Sequence, residues 1–255
     1  PILLETPGAD SRLTSNPKIG SLEQWPFLPL EQFKEILYTQ QVLERPYYVF
    51  NDGRSFDYHA IAQMRKNLGS PVPALAKASI INGKNEGVQT QSGEINTKPS
   101  EWTVGQIEMS NGSLLSYSFS YNCKSMLSIP FQLLRNISSN GSMTSGRSKE
   151  MGNDYEIIDV RTVDNQTKKV LLHDVDVDRN DGITRSISAV CSGRKLEWVN
   201  KYATLGFDDQ QTAIATLVEG SQNIPLYSYY NSYVDYLCIN MMKNSSHTQQ
   251  VVRIR

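Results

Sequence analysis

Few residue types that advertise a chemistry are plentiful in this chain. Cysteine numbers three in 255 residues, at Cys123, Cys191 and Cys238, with no C-x-x-C pair. An odd, scattered set of this kind argues against a disulfide framework and a structural zinc site, and it fits a reducing compartment. Histidine also numbers three, His59, His173 and His247, with no metal-ligand spacing among them, so no metal is expected. Charge of one sign is lacking: 25 Lys and Arg face 26 Asp and Glu, for a net charge of −1. That balance gives no electrostatic case for nucleic acid or an anionic membrane. No apolar run reads as a membrane span, and no repeat or coiled coil is present. The local signatures of several enzyme classes are missing as well. There is no G-x-S-x-G elbow, no G-x-x-x-x-G-K-[ST] and no G-x-G-x-x-G. Any dinucleotide bound here would need a pyrophosphate loop that these residues do not contain. Without a secretory leader, the N-x-S/T triplets at Asn111, Asn136, Asn140, Asn165 and Asn244 read as chance products of an Asn- and Ser-rich chain. A cytoplasmic protein is expected. The apolar opening PILLE resembles the inside of a strand, so a fragment or processed product is expected too.

What is present is organised around Glu101 to Gly146. Two alternating runs meet at Asn111-Gly112, a Cys-Lys-Ser connection follows, and a third strand ends at Asn140-Gly141. Asn-Gly between alternating apolar runs is a strong hairpin signal, because both residues tolerate positive φ. An antiparallel sheet is expected, and the other elements can be built around it.

In chain order, Pro1 to Glu5 reads as a short buried strand and Ala9 to Pro29 as an irregular loop rich in proline. Leu30, Phe33, Ile36 and Leu37 share one face of a helix over about 30–42, and Tyr47 to Phe50 is the next strand. Ser55 is a good N-cap for a helix carrying Ile61, Met64 and Leu68, and Gly69 sits where a C′ glycine belongs. A strand over ALAKASII precedes a polar stretch from Asn82 to Ser100. After Gly146, Arg147 to Asn153 reads as a surface excursion. A second hairpin pairs Tyr155 to Val160 with Lys169 to Val177 about a turn at Asp164-Asn165. Two closing helices are expected: one capped by Asp208 or Asp209 and ending at Gly220, the other after Pro225 with a stripe of Leu226, Tyr230, Tyr233, Val234, Leu237, Cys238 and Met241. Residues 245–255 read as an extended tail. The order of elements gives an α+β fold.

Three groups could carry chemistry. Asp174, Asp176, Asp178 and Asp181-Gly182 resemble a calcium loop, but Arg179 and Arg185 stand where the EF-hand needs Gly and Glu, so an alternating strand with solvated aspartates is the better reading. His59 follows Arg54, Asp57 and Tyr58 in the first turn of a helix that leaves a strand, where ligands gather in open α/β sheets, although from the pattern alone a surface histidine near a helix N-terminus is the better reading. Tyr227, Tyr229, Tyr230, Tyr233 and Tyr236 could stack on a sugar, but their helical spacing favours core and interface.

Four stretches, taken in order, resemble the Gfo/Idh/MocA family of oxidoreductases, the glucose–fructose oxidoreductase and inositol dehydrogenase group. PILLETPGAD is similar to the strand and turn of the family's Glu-Lys-Pro motif, here Glu5-Thr6-Pro7. YYVFNDGRSFDYHAIAQMRKNLGSPVPALAKASI is similar to its last cofactor-domain strand, Arg-x-Phe-like turn, helix and first sheet-domain strand. GQIEMSNGSLLSYSFSY with the strand to Asn140-Gly141-Ser142 resembles its sheet, and EGSQNIPLYSYYNSYVDYLCINMMKNSSHTQQVVRI its closing helices and Ser-Ser tail.

The resemblance implies a remnant of a dinucleotide-binding Rossmann α/β unit at 1–69, and at 70–255 an open-faced, mostly antiparallel sheet domain closed by two C-terminal helices. It implies NAD or NADP resting against Glu5, Thr6 and Pro7, a sugar or polyol held by Arg54, and catalysis by His59 and Tyr58. It further implies a homo-oligomer built through the sheet face around 105–145. Two departures stand out. Thr6 replaces the motif lysine and cannot act as a cation or a comparable proton donor. The family's Asp-x-Gly-x-His stretch is not found between Ile81 and Trp102, which leaves its place to His59 or vacant; residues 47–69 match either the Arg-x-Phe turn or the histidine helix. Two other readings follow from these features: a catalytically silent member acting in regulation or assembly, and a viral coat subunit suggested by Pro1 and the many strands.

Overall fold

A computed structural model of the chain describes residues 2–4, 12, 14–15, 19–21, 29–39, 41–53, 57–82, 88–89, 95–96, 101–121, 132–150, 153–162, 167–172, 175–177, 184–191, 194–201 and 227–254. The first elements are β1 (Ile2–Leu4), β2 (Ile19–Ser21), α1 (Pro29–Thr39), β3 (Tyr48–Gly53), α2 (Asp57–Asn67) and β4 (Pro73–Asn82). Next come β5 (Val88–Gln89), β6 (Ile95–Asn96), β7 (Glu101–Met109), β8 (Leu114–Tyr121), β9 (Gln132–Ser138), β10 (Gly141–Glu150) and β11 (Asn153–Thr162). The chain continues through β12 (Thr167–Leu172), β13 (Val175–Val177), β14 (Thr184–Cys191), β15 (Arg194–Lys201), β16 (Tyr227–Ser228), α3 (Tyr229–Thr248) and β17 (Val252–Arg253). The fold is α+β.

Nine strands form one sheet in the order β12-β11-β10-β9-β3-β8-β7-β4-β17. Only β3 and β8 run parallel within it. Register alternation divides its faces. Val49, Leu115, Ile107 and Ala76 lie in one cross-strand row, with Asn51, Tyr117, Gly105 and Ala78 in the next. Both rows face α2 and α3 and bury against Ile61, Met64 and Leu68 of α2 and Cys238, Ile239, Met241 and Met242 of α3. Each large side chain removed from water in this way stabilises the fold by about 1.5–3 kcal/mol. Lys77, Val104, Gln106, Glu108 and Arg135 alternate with these residues and remain exposed on the opposite face. Smaller sheets are β1-β2-β16, β13-β14-β15 and β5-β6.

Several elements match the sequence pattern. Strand β4 covers ALAKASII, and α2 ends in the expected glycine cap. Gly69 has φ +87°, its N–H donates to Lys66 O at 2.9 Å, and Ser70 N donates to Arg65 O at 2.8 Å. The two bonds satisfy carbonyls that the helix end would otherwise orphan. The hairpin at Asn111-Gly112 also forms, with a different turn. Only Gly112 takes positive φ, +80°, while Gly112 N donates to Met109 O and Met109 N to Ser113 O. This is a type I turn closed by a left-handed glycine, and Asn111 serves it through its side chain, accepting from Ser113 N and Oγ at 3.0 and 2.6 Å.

Other expectations need correction. The loop assigned to Ala9–Pro29 contains β2, paired parallel to β1, and α1 begins at Pro29, a residue suited to the first helical position. Arg147–Glu150 belongs to β10 and pairs with β11 as far as Glu150 opposite Asn153. A run without apolar residues is held there by its backbone ladder. Helix α3 extends to Thr248, beyond the tail expected from 245, and its buried face is rotated from the apolar stripe. Tyr230 is 46% exposed, while Ser232, Asp235, Ser245 and Ser246 are buried. The expected helix at 208–220, the Cys123–Ser125 connection, the turn at Asp164-Asn165 and Asp178–Gly182 of the acidic run lie outside the described residues.

At Gly105, α3 packs close against the sheet. A Cβ there would meet Ala78 Cβ at 2.9 Å and Met242 Sδ at 3.0 Å. Gly105→Ala is expected to cost roughly 1–3 kcal/mol by overpacking, read as a lowered urea midpoint at unchanged m-value.

Candidate functional site

The parallel pair β3 and β8 fixes where a site can form, because both strands deliver their carboxyl ends to the same edge of the sheet. Ligands of open α/β sheets gather beyond such ends. The chain leaves β3 at Gly53 and enters α2 at Asp57, so the first turn of α2 stands at that edge. Tyr58 and His59 occupy it, both half-buried, with ring centroids 4.0 Å apart and planes inclined by 48°. Behind them Asn51 is fully buried in β3 and donates through Nδ2 to Ser118 O at 3.3 Å. The structure therefore brings Tyr58 and His59 together. Arg54 and the Glu5-Thr6-Pro7 turn lie outside the described residues; β1, which leads into that turn, is placed by its pairing with β2.

Helix α2 is held by a charge that the sequence pattern passed over. Arg65 is completely buried, and its guanidinium is met on every side. Nε donates to Asp235 Oδ1 at 2.6 Å, and one terminal nitrogen donates to Ser70 O and Pro71 O at 3.1 and 3.0 Å. The other donates to Tyr227 Oη at 3.3 Å and to Asn231 O and Oδ1, both at 2.9 Å. Tyr227 Oη in turn donates to Asp235 Oδ2 at 2.7 Å. Burial works against the charge on Arg65, but Asp235 and Tyr227 outweigh it, and its pKa lies above the ordinary guanidinium value. Burial first, and then Asp235, pushes the Tyr227 phenol well above its usual range. Asp235 is the single acidic residue of α3, set between Val234 and Leu237. A lone acid in an apolar stripe is the signal from which this cluster could have been found.

Helix α1 carries a buried charge pair of its own, and Arg45 bridges it to the end of α2. Lys34 and Glu31 pair at 2.5 Å with side chains 0% and 1% exposed. Arg45 bonds Glu35 and donates to Lys66 O and Asn67 O at the end of α2. Burial, more than any neighbour, lowers the Lys66 pKa. Among the described residues no group of three or more His, Cys, Asp or Glu could hold a metal ion, and no helix is long and apolar enough to cross a membrane. Of the N-x-S/T asparagines, Asn136 is 1% exposed, within the sheet.

Removing one partner of a buried charge pair typically costs about 3–5 kcal/mol. Arg65→Met is expected to lose about that much in equilibrium unfolding. Arg65→Lys recovers little, since one ammonium carries three donors and no planar fork to reach these acceptors. Cys238 gives a pH dependence: burial, with Asp235 second, pushes its thiol from 9.0 up to about 12. The folded chain keeps a proton that the unfolded chain releases, so this contribution is fully present below about pH 9. It falls as pH rises toward 12, by about 1.4 kcal/mol per pH unit. Chemical denaturation from pH 8 to 11 should show that slope, reduced in Cys238→Ala.

No protein-family model and no curated protein matches the sequence. Solved structures do. A super-repressor mutant of Gal80p from Saccharomyces cerevisiae aligns at 10% identity and TM-score 0.60, over 93% of this chain and 66% of that one. The transcriptional regulator Gal80p from Kluyveromyces lactis aligns at 12% identity and TM-score 0.55, over 95% and 64%. An oxidoreductase from Agrobacterium radiobacter, solved with NAD+, L-tartaric acid and magnesium, aligns at 10% identity and TM-score 0.53, over 92% and 64%. The chain spans about two thirds of the length of these structures. The chain shares the fold of these structures, at identities that show the fold alone.

Proposed function

We propose that the chain is the larger part of a Gfo/Idh/MocA-like oxidoreductase that moves hydride between NAD or NADP and a carbon of a sugar or polyol. The supporting observation is the placement of Tyr58 and His59 at the carboxyl end of β3, in a fold shared with an oxidoreductase solved with NAD+. The nicotinamide, when bound, supplies the hydride chemistry. The protein's own residues position the substrate and handle the proton. His59 exchanges it with the substrate hydroxyl, Tyr58 lies against the imidazole and orients it, and Arg54 holds the neighbouring hydroxyls. Glu5, Thr6 and Pro7 meet the nicotinamide end of the cofactor. No glycine-rich loop is available for its phosphates, so residues outside this sequence hold them. The sheet face around 105–145 joins copies of the chain.

A second reading is regulation or assembly without catalysis. Thr6, where the family motif has lysine, favours it, and so does the likeness to Gal80p, one form of which is described as a transcriptional regulator. It expects a stable oligomer and no turnover.

The test is nicotinamide absorbance with the complete natural protein on a panel of sugars and polyols. Turnover that falls about 10²–10⁴-fold in His59→Asn, with unchanged circular dichroism and a smaller loss in Tyr58→Phe, supports the enzyme. A complete protein that binds neither NAD nor NADP sinks it.

A further inference from the structure

Two cations are completely buried among the described residues, and the fold serves them differently. Every nitrogen of the Arg65 guanidinium meets an acceptor. The Lys34 ammonium meets Glu31 Oε1 alone. An ammonium carries three donors, and a buried ion pair is stable only when its remaining donors and lone pairs are also satisfied. The shortfall extends to its surroundings. Glu31 Oε2, Tyr38 Oη, Asn67 Nδ2 and both polar atoms of the Asn136 carboxamide have no hydrogen-bond partner in the protein. None of these five residues is more than 7% exposed.

They gather around the connection at 41–47. Glu31, Lys34 and Tyr38 recur at i, i+3 and i+7 on one face of α1. Burial first, and then the Glu31 carboxylate, pushes the Tyr38 phenol well above its usual range, so the two groups are close. Arg45 lies 5.4 Å over the Tyr38 ring and donates to Asn67 O at the end of α2. The same connection is stitched to β9, where Ser138 Oγ donates to Glu44 O at 2.6 Å and Tyr47 N to Ile137 O at 3.0 Å. Asn136 precedes Ile137 and lies opposite Val49, on the helix-facing side of the sheet. Buried polar groups are nearly always paired. Here every unpartnered buried side-chain atom of the described residues falls in one corner, between α1, the last turn of α2 and β9.

We propose that this corner is an internal hydration site, in which ordered water bonded to Lys34, Glu31, Tyr38, Asn67 and Asn136 joins α1 to the end of α2 and to β9. The chemistry of the set selects the ligand. Donors on Lys34, Asn67 and Asn136 and acceptors on Glu31 and Asn136 need a molecule that both gives and takes hydrogen bonds. An anion would stand against the Glu31 carboxylate, and a metal cation against the Lys34 ammonium. Water is neutral and does both. A buried water makes about three hydrogen bonds, so about two or three molecules serve these groups. The site lies at the far end of α2 from His59, about 12 Å along the helix axis. It therefore stands independently of the oxidoreductase reading.

The experiment joins a crystal structure of the complete natural protein, at a resolution that shows solvent, to equilibrium unfolding of Asn136→Leu and Tyr38→Phe. Water-sized density at about 2.7–3.2 Å from Lys34 Nζ, Tyr38 Oη and the Asn136 carboxamide is expected. Direct bonds among these side chains with no solvent between them, or density larger than water, overturn the proposal. The two variants keep nearly the native volume and remove the polar atoms. In a hydrated site each leaves water short of a partner, and the folded-to-unfolded ratio falls roughly three- to tenfold, as for about one net hydrogen bond. In a dry site each relieves an uncompensated polar group, and the ratio rises. A rise, or an unchanged ratio, in either variant refutes the hydration site.

Discussion

A guanidinium carried into a protein interior keeps its charge, so every N–H it owns must find an acceptor or the fold loses several kcal/mol per ion. Arg65 imposes that demand on three elements of the chain. Asp235 and Asn231 must come from α3, Tyr227 from β16, and two carbonyls from the Ser70-Pro71 turn into β4. Once α2 presents this side chain inward, the beginning of α3 and the entry to β4 have little choice of position. The Schellman turn at Gly69 follows from the same constraint, since it reverses the chain sharply enough to aim the carbonyls of Ser70 and Pro71 back at the residue five or six positions earlier.

The other end of α3 obeys a related rule. Strand β17 covers β4 only at Leu75 and Ala76, so the outward N–H groups of Ala78 and Ile80 lack a strand partner. Ser245 and Ser246 accept from them at 3.0 and 2.8 Å, and Ser245 passes its own proton to Gln250 O at 2.6 Å. Two hydroxyls thus stand in for a missing strand at an edge that would otherwise invite pairing. Lys77 Nζ closes the arrangement on Gln249 O, the left-handed residue that ends the helix. Helix α3 is therefore pinned to the sheet by polar groups at both ends and by Cys238, Met241 and Met242 between them. Gly105 lets that middle section approach.

This pattern explains what could be read from the sequence. Periodicity found β4, the β7–β8 hairpin, α2 with its glycine cap and the existence of a final helix, because those features depend on apolar spacing and local turn chemistry. It rotated the face of α3 because it counted apolar residues, whereas Asp235, Ser245 and Ser246 are inward to satisfy a charge and a strand edge some 170 positions away. It missed the strand character of Arg147–Glu150 because a ladder, not burial, sets that segment. Tyr58 and His59 were legible as a helix-opening pair after a strand. Their support was not, since Arg65 looks like a surface base in Met-Arg-Lys-Asn until the acid that meets it is known.

The same reasoning bears on Thr6. A buried cation near a nicotinamide needs its own set of acceptors, and in this chain the described buried cations, Arg65 and Lys34, are spent on Asp235 and Glu31. Neither can be withdrawn to replace a motif lysine without leaving a carboxylate unpaired in a dry interior. On the proposed function, proton handling falls to Tyr58 and His59, the half-buried pair in the first turn of α2. An enzyme built this way relies on the helix that holds His59 in place, because an imidazole exchanging a proton with a hydroxyl works only within hydrogen-bond reach. The polar clamp on α2 is the feature of this fold that meets that requirement, whether the bound partner is turned over or only held.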